Sequence, residues 1–186
     1  ANAAERSLDA QYYIWSADQA GDLLFEAIWQ AAERGVRVRL LLDDLNTKGV
    51  DALLATLDAH PNIEVRLYNP LVGRNTRALN FLTDFSRLNR RMHNKSFTVD
   101  NQATVLGGRN IANEYFAAGT GLALVDLDVL ATGVVVRQVS REFDTYWSSA
   151  SAYPAGALID PAAADGPALL ARFADNRGKP EAQAYV

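Results

Sequence analysis

Apolar and polar residues alternate along two short stretches of the first 70 positions, which also hold an aromatic stretch and two stretches of helical periodicity. The aromatic and β-branched residues at the end of 8–15 predict a strand there, and the period-two spacing predicts strands at 36–42 and Ile63–Tyr68. Apolar side chains spaced three or four residues apart predict helices over 21–34 and 50–59. Strands that alternate with helices over short links favour a largely parallel sheet that is covered by helices.

The rest of the chain is less regular. Residues 71–92 are rich in Arg, Asn, Leu and Phe, and they predict a helix near 78–88. The elements predicted after this stretch are strands at 95–99, 103–106 and 124–131 and a helix at Val134–Trp147. From 153 onward Pro, Ala and Gly dominate. We therefore expect one domain over 1–152, and we expect 153–186 to be an extension or linker that continues toward a missing second half.

The composition excludes several classes of function. The chain has 186 residues, of which 49% are hydrophobic and 22% are charged, as in a globular domain. It contains no cysteine, which excludes disulfides, thiol catalysis and Cys-ligated metals. His60 and His93 are its two histidines, too few for a multi-histidine metal site, and we expect no metal or cofactor. We interpret Asp43 and Asp44 as turn or rim residues rather than as metal ligands. No stretch approaches the roughly 18 apolar residues of a transmembrane helix.

The segment 93–110, HNKSFTVDNQATVLGGRN, concentrates groups that are suited to phosphate chemistry. Alternate side chains of a strand share a face, so an extended backbone at 95–99 points His93 and Lys95 at one site. A neutral imidazole is a competent nucleophile toward phosphorus, and an ammonium binds the non-bridging oxygens of a phosphate. We therefore predict that this pair is the centre of a phosphate-transfer site.

Four further positions of the segment carry defined expectations. Asp100 begins the turn between the two predicted strands, and we expect it to fix the loop geometry more than to contact substrate. Gly107 and Gly108 let the backbone approach a phosphate closely. The side-chain amide of Asn110 can donate to the same phosphate oxygens.

Charge is distributed unevenly along the chain. The whole chain carries −4, whereas 74–109 carries seven basic and two acidic residues, which leaves −9 elsewhere. An acidic protein with one basic segment around its motif suggests a focused anion site. Arg87, Arg90 and Arg91 form a solvated basic face, or at least one of them binds a substrate phosphate. The apolar residues of 78–88 pack in the core or lie against a membrane surface.

The spacing His-x-Lys-(x4)-Asp-(x6)-Gly-Gly-x-Asn resembles the signature of the phospholipase D superfamily and fits it at every fixed position. Further stretches resemble the first half of bacterial C-type cardiolipin synthases, over about residues 8 to 153. They are QYYIWSAD, RGVRVRLLLDD, DFSRLNRRMHNKSFTVD, GGRNIANEYF and FDTYW. The resemblance implies a phospholipase D-like α/β sandwich, with a mixed and mostly parallel central sheet flanked by helices on both faces.

The resemblance also implies roles for individual residues. His93 is the covalent nucleophile that forms a phosphohistidine, and Lys95 and Asn110 hold the phosphate. An acidic residue orients the imidazole, for which we predict Asp126 on the strand at 124–131, with Glu114 as the alternative. Substrate contacts are expected from residues around the motif, namely Gly107, Gly108, Arg91, Arg109 and Glu114.

One departure from the family pattern shapes the functional hypotheses. A complete site uses two such motifs, and His60 has no Lys two residues later. We therefore predict the N-terminal half of a cardiolipin synthase, inactive alone and completed by a second motif-bearing half of the same polypeptide. The alternatives are a homodimeric single-motif phosphodiesterase or nuclease, whose second motif comes from the homodimer mate, and a non-catalytic module that binds anionic lipids.

The family resemblance implies lipid partners and a membrane location. The implied substrates are phosphatidylglycerol and, as donor, phosphatidylethanolamine. Peripheral contact with the bacterial inner membrane is implied as well. Nucleic acid is not an expected partner, because polynucleotide binding draws most of its affinity from phosphate contacts and this chain is acidic.

Overall fold

A computed structural model describes residues 1–71, 90–116 and 123–183, except for the side chains of residues 181 and 183. Its seven strands are β1 (Ser7–Tyr12), β2 (Arg37–Asp43), β3 (Ile63–Tyr68), β4 (Ser96–Val99), β5 (Ala103–Gly107), β6 (Asp128–Thr132) and β7 (Ala152–Pro154). The helices in the described ranges are α1 (Gln19–Glu33), α2 (Asp51–Asp58), α3 (Val134–Trp147), α4 (Gly166–Arg177) and the short α5 (Pro180–Gln183). The helix predicted at 78–88 lies outside the described residues.

The strands form one mixed sheet in the order β6-β5-β4-β1-β2-β3-β7. β1, β2 and β3 pair in parallel, as the alternation of strands and helices predicts. The other four pairings, β1 with β4, β4 with β5, β5 with β6 and β3 with β7, are antiparallel. The sheet is therefore mixed as predicted, but it is not mostly parallel. For β4 and β5 the reason is that they form a hairpin, and strands joined by a tight turn must run antiparallel.

Helices cover both faces of the sheet, which confirms the predicted sandwich. Along β2 the side chains of Leu40 and Leu42 face a large core under α1 and α2. Leu41 points the other way, into a smaller core with Phe143 and Trp147 of α3. A central strand that is buried on both faces needs an uninterrupted apolar run, and β2 has one. None of the helices within the described ranges is long and apolar enough to cross a membrane.

The C-terminal segment is folded against the domain over its described part. We expected 153–186 to be an extension or linker, but β7 adds to the sheet beside β3 and α4 packs against α1. Four apolar side chains of this segment are buried in the large core, namely Ala155, Ile159, Leu169 and Phe173. The linker interpretation is therefore wrong for 153–183, because these apolar residues are buried. The boundary at 152 and the missing second half stay predictions.

Two ion pairs reinforce the packing of α4 on α1. The guanidinium of Arg172 lies 2.8 Å from the carboxylate of Asp22, and that of Arg177 lies 2.6 Å from Glu26. Both carboxylates are buried while both arginines reach solvent. Burial raises the pKa of Asp22, and the charge of Arg172 opposes this rise only in part. These arginines therefore stabilise carboxylates that the fold has desolvated.

Candidate active site

His93 and Lys95 lie side by side at the entrance to β4. The His93 imidazole is exposed, whereas Lys95 is only 6% exposed. The Lys95 Nζ is 3.0 Å from His93 Nδ1 and donates to the His93 carbonyl oxygen at 2.7 Å. Burial lowers the pKa of Lys95, and the negative charge of Asp126 opposes this effect. The structure thus brings together a solvent-accessible imidazole and a desolvated cation.

Tyr13 forms an aromatic wall beside this pair. Its ring centroid lies 4.8 Å from that of the His93 imidazole, and the Lys95 Nζ lies 5.6 Å from the same centroid. Tyr13 follows β1, which pairs with β4, so the sheet places it next to the motif although it is 80 positions away in sequence. Sequence reasoning missed this residue. The available signal was its position directly after β1, in the aromatic stretch QYYIW.

Asn110, the last residue of the motif, is buried and joins the segment after β1 to the turn around Tyr115. Its Oδ1 accepts from the backbone N–H of Ile14 at 3.2 Å, and its Nδ2 donates to the Tyr115 hydroxyl at 2.9 Å. The amide carries two N–H groups, of which Tyr115 takes one. Tyr115 thereby orients the Asn110 side chain, a role that the sequence did not suggest. The contact of Asn110 with a phosphate stays a prediction.

The two glycines of the motif have a packing role in this structure. A Cβ at Gly107 would overlap Asp128 and the carbonyl of Leu127, and a Cβ at Gly108 would overlap the Asp126 carboxylate. We expected these glycines to admit a phosphate. The geometry shows that they admit the segment 126–128, which could not approach β5 otherwise.

Asp126 lies in the loop before β6 rather than on the strand. The predicted strand began at 124, whereas β6 begins at Asp128, so the placement of Asp126 on a strand face is wrong. The Asp126 Oδ1 accepts the backbone N–H of Leu127 at 2.8 Å. In this arrangement the His93 Nδ1 contacts Lys95, and Asp126 acts on the site through its charge. Its role as the partner of the imidazole stays a prediction.

Arg109 secures the loops around the site. Its guanidinium donates to the carbonyl oxygens of Tyr115 at 2.9 Å and Asp126 at 3.0 Å, and it lies 3.1 Å from the Asp128 carboxylate. A contact of Arg109 with a substrate phosphate stays a prediction. Glu114, the alternative partner of the imidazole, is exposed in the short helical turn Asn113–Tyr115.

Asp43 and Arg91 fix the backbone directly before His93. The fully buried Asp43 carboxylate accepts from the Arg91 guanidinium at 2.8 Å and from the Met92 N–H at 2.9 Å. Arg91 also donates to the Asn69 carbonyl at 2.9 Å. Burial raises the pKa of Asp43, and the charge of Arg91 opposes that rise. Arg91, which we predicted to contact substrate, therefore contacts Asp43 and Asn69 here, and a substrate role for it stays a prediction.

Asp100 occupies the turn between β4 and β5 in a left-handed backbone conformation, with φ of 54°. Its carboxylate accepts from the backbone N–H groups of Glu5, Arg6 and Ser7 at 2.8–2.9 Å. Burial alone would raise its pKa, but these hydrogen bonds and the charge of Arg6 outweigh it and lower the pKa. The carboxylate thus ties the hairpin of the motif to the start of β1.

A family model described as "Cardiolipin synthase, PLD-like domain" matches residues 1–147. The chain belongs to this family of PLD-like domains. Cardiolipin synthase C of Escherichia coli K12 is 57% identical to this chain over 160 residues, which are 86% of this chain and 34% of that protein. The major cardiolipin synthase ClsA of Bacillus subtilis is 28% identical over 151 residues, which are 80% of this chain and 29% of that protein. The chain thus spans about a third of the length of these relatives.

Solved structures share the fold of this PLD-like domain. NucT from Helicobacter pylori superposes with a TM-score of 0.58 at 16% identity, over 81% of this chain and 83% of that chain. Phosphatidylserine synthase from Haemophilus influenzae gives 0.64 at 17% identity, over 94% of this chain and 38% of that chain. The predicted membership in the phospholipase D superfamily, the resemblance to C-type cardiolipin synthases and the α/β fold class are confirmed.

Proposed function

We propose that this chain is the N-terminal catalytic half of a cardiolipin synthase that transfers a phosphatidyl group between phospholipids. The observation that carries the proposal is the exposed His93 imidazole 3.0 Å from the buried Lys95 ammonium. An accessible nucleophile beside a fixed cation suits attack on a phosphodiester, where negative charge must be neutralised as the new bond forms. The 57% identity to cardiolipin synthase C supports lipid substrates.

The proposed reaction has two steps. The Nε2 of His93 attacks the phosphorus of the donor lipid, and the bond from phosphorus to the departing alcohol oxygen breaks. This leaves a phosphohistidine, while Lys95 and Asn110 bind the non-bridging oxygens. A hydroxyl of phosphatidylglycerol then attacks the phosphorus, and the N–P bond breaks to release cardiolipin. The second half of the enzyme protonates the departing alcohol and deprotonates the acceptor.

An exposed apolar edge supports a partner for this half. β6 is an outer strand of the sheet, and the side chains around it are unusually exposed for apolar residues. Val125 is 98% exposed, Leu127 76% and Leu130 73%. An apolar strand edge of this kind is a surface for association. We propose that the rest of a longer polypeptide, which the relatives have, covers this edge, and that peripheral contact with an anionic membrane occurs near it.

The proposal is tested in the full-length protein with vesicles of phosphatidylglycerol and phosphatidylethanolamine. His93→Ala is expected to lower the rate of cardiolipin formation by roughly a thousandfold or more. His60→Gln is the matched control, because His60 contacts Glu33 and Asn62, away from Lys95. Cardiolipin is measured by mass spectrometry, and unfolding temperatures verify that both variants fold. Retained synthesis in His93→Ala would show that the imidazole is not the nucleophile.

Sedimentation equilibrium of the 186-residue chain distinguishes this proposal from the homodimeric alternative. We expect a monomer without phosphodiesterase activity, since one half carries one motif. A stable dimer that cleaves phosphodiesters would instead favour a site assembled from two copies of His93.

A further inference from the structure

We infer that the aromatic ring of Tyr13 stabilises the positive charge that develops on the His93 imidazole when its nitrogen bonds to phosphorus. This inference deepens the proposed function and rests on it, because His93 is the nucleophile proposed there. It assigns a role to a side chain outside the motif. Tyr13 acts through the imidazole and makes no bond to the phosphate, so it is a positioning residue.

The Tyr13 ring faces both reactive groups of the motif. The Lys95 Nζ lies over this ring, 5.6 Å from its centroid. The centroid of the His93 imidazole lies 4.8 Å from the same point, with the two ring planes inclined by 48°. A cation within about 6 Å of the centroid of an aromatic ring is attracted by the negative charge on the ring face. A positive charge on either group is therefore within reach of the Tyr13 ring.

The backbone that carries this ring is held on both sides. The carbonyl oxygen of Tyr13 accepts from Asn46 Nδ2 at 3.1 Å. The next residue, Ile14, donates its N–H to Asn110 Oδ1 at 3.2 Å, and its carbonyl oxygen accepts the N–H of Ile111 at 3.1 Å. The ring is thus in place before the reaction begins. Stabilisation by a group that is already positioned costs no rearrangement during the reaction.

The charge of the imidazole changes during the proposed reaction, whereas that of Lys95 does not. The electron pair of Nε2 forms the N–P bond, and the pair of the breaking P–O bond goes to the alcohol oxygen, which the second half protonates. The imidazole, neutral before, then carries one positive charge, with a proton on its other nitrogen. When the acceptor oxygen attacks phosphorus, the N–P pair returns to Nε2 and the ring is neutral again. An interaction that strengthens only as the N–P bond forms raises the rate of that step.

A series of substitutions changes the charge on the ring face at nearly constant shape. Tyr13 is replaced in the full-length protein by phenylalanine and by its mono-, di- and trifluorinated forms. Fluorine withdraws electrons from the ring face, so each added fluorine weakens the attraction for a cation. Tyr13→Leu removes the aromatic face and keeps apolar bulk. Tyr153 is the matched control and receives the same aromatic series, because it is 45% exposed on β7, which β2 and β3 separate from β1.

The rate of N–P bond formation is measured as the first-turnover release of p-nitrophenolate from bis-(p-nitrophenyl) phosphate. Tyr13→Phe should retain this rate within about twofold, and Tyr13→Leu should lower it about tenfold. The fluorinated forms should lie between these two, in the order of their fluorine content. KM should change less than the rate does, because the phosphate binds before the imidazole gains its charge. The series at Tyr153 should have no effect, and thermal unfolding verifies that each variant folds.

The inference is overturned if the rate does not depend on fluorination, since a loss confined to Tyr13→Leu would show a steric contact only. It is also overturned if fluorination changes KM alone, or if Tyr153 gives the same dependence. Cardiolipin synthesis that is insensitive to the series at Tyr13 contradicts this inference and leaves the proposed function intact. Phosphodiester cleavage that follows the series without cardiolipin synthesis contradicts the proposed lipid transfer alone. If neither reaction is lost in His93→Ala, both are wrong.

Discussion

Replacement of Asp100 by Ala should destabilise the fold strongly, because the Asp100 side chain anchors the hairpin of the motif. The carboxylate accepts three backbone hydrogen bonds, from Glu5, Arg6 and Ser7 at 2.8–2.9 Å. The residue also has a left-handed backbone, as does Asn101 after it, with φ of 54° and 55°. Asp and Asn tolerate this conformation better than Ala does. Asp100→Ala therefore removes three acceptor contacts and strains the turn.

The expected magnitude follows from these two effects. Each hydrogen bond contributes a net of about 0.5–1.5 kcal/mol. The site is partly exposed to solvent, so the lower half of the range applies and the three bonds amount to about 2 kcal/mol. A left-handed Ala costs about 1 kcal/mol more. We expect Asp100→Ala to lower the free energy of unfolding by about 3 kcal/mol. Asp100→Asn, which tolerates the turn and keeps one acceptor oxygen, should lower it by about 1 kcal/mol.

Urea unfolding followed by circular dichroism measures these differences, first at pH 7 and then at lower pH. The folded-state pKa of Asp100 lies below its ordinary value, so its stabilisation is complete above the unfolded-state pKa. The stabilisation is lost as the pH falls through the lowered folded-state value. The advantage of the unaltered chain over Asp100→Asn should therefore shrink below about pH 4. A loss under 1 kcal/mol for Asp100→Ala, or an advantage over Asp100→Asn that does not change with pH, would refute the reasoning.

Two further substitutions test the packing around the site and the C-terminal segment. Gly108→Ala forces a Cβ into the Asp126 carboxylate and should cost about 2 kcal/mol, whereas Gly166→Ala meets open space and should cost under 0.5 kcal/mol. Equal urea midpoints for the two alanine variants would argue against this close contact. Arg172→Met leaves the buried Asp22 without its cation and should cost about 1–3 kcal/mol at pH 7. Since the folded-state pKa of Asp22 is already raised, that cost should fall as acid protonates the carboxylate, and a cost that grows on acidification would contradict this account.

Much of the fold could be predicted from the sequence, because it depends on local periodicity. Ile63–Tyr68 and Val134–Trp147 have the predicted bounds, and β2 shows the apolar run of a strand that is buried on both faces. The motif from His93 to Asn110 likewise carried the family assignment, because its spacing is unlikely to arise by chance. Strand direction was less accessible, since the same period of two describes parallel and antiparallel pairing alike.

The local sequence also led to a wrong prediction for the segment after 152. Its Ala, Pro and Gly content suggests a linker, but Leu169 and Phe173 find a complementary apolar surface on the domain. Four apolar residues spread over about 20 positions give no clear periodicity. Their burial depends on a surface that the earlier elements build.

Around His93, local sequence predicts some of the contacts, and the others depend on tertiary structure. A separation of two residues is a local property of the chain, so the sequence was sufficient to place His93 and Lys95 at one point. The contacts of Tyr13 with His93, of Asp43 with Met92 and of Tyr115 with Asn110 depend on which strands and loops become neighbours. That choice is made by burial summed over the whole sheet, which no short segment encodes. The tertiary structure therefore decided which side chains surround the imidazole.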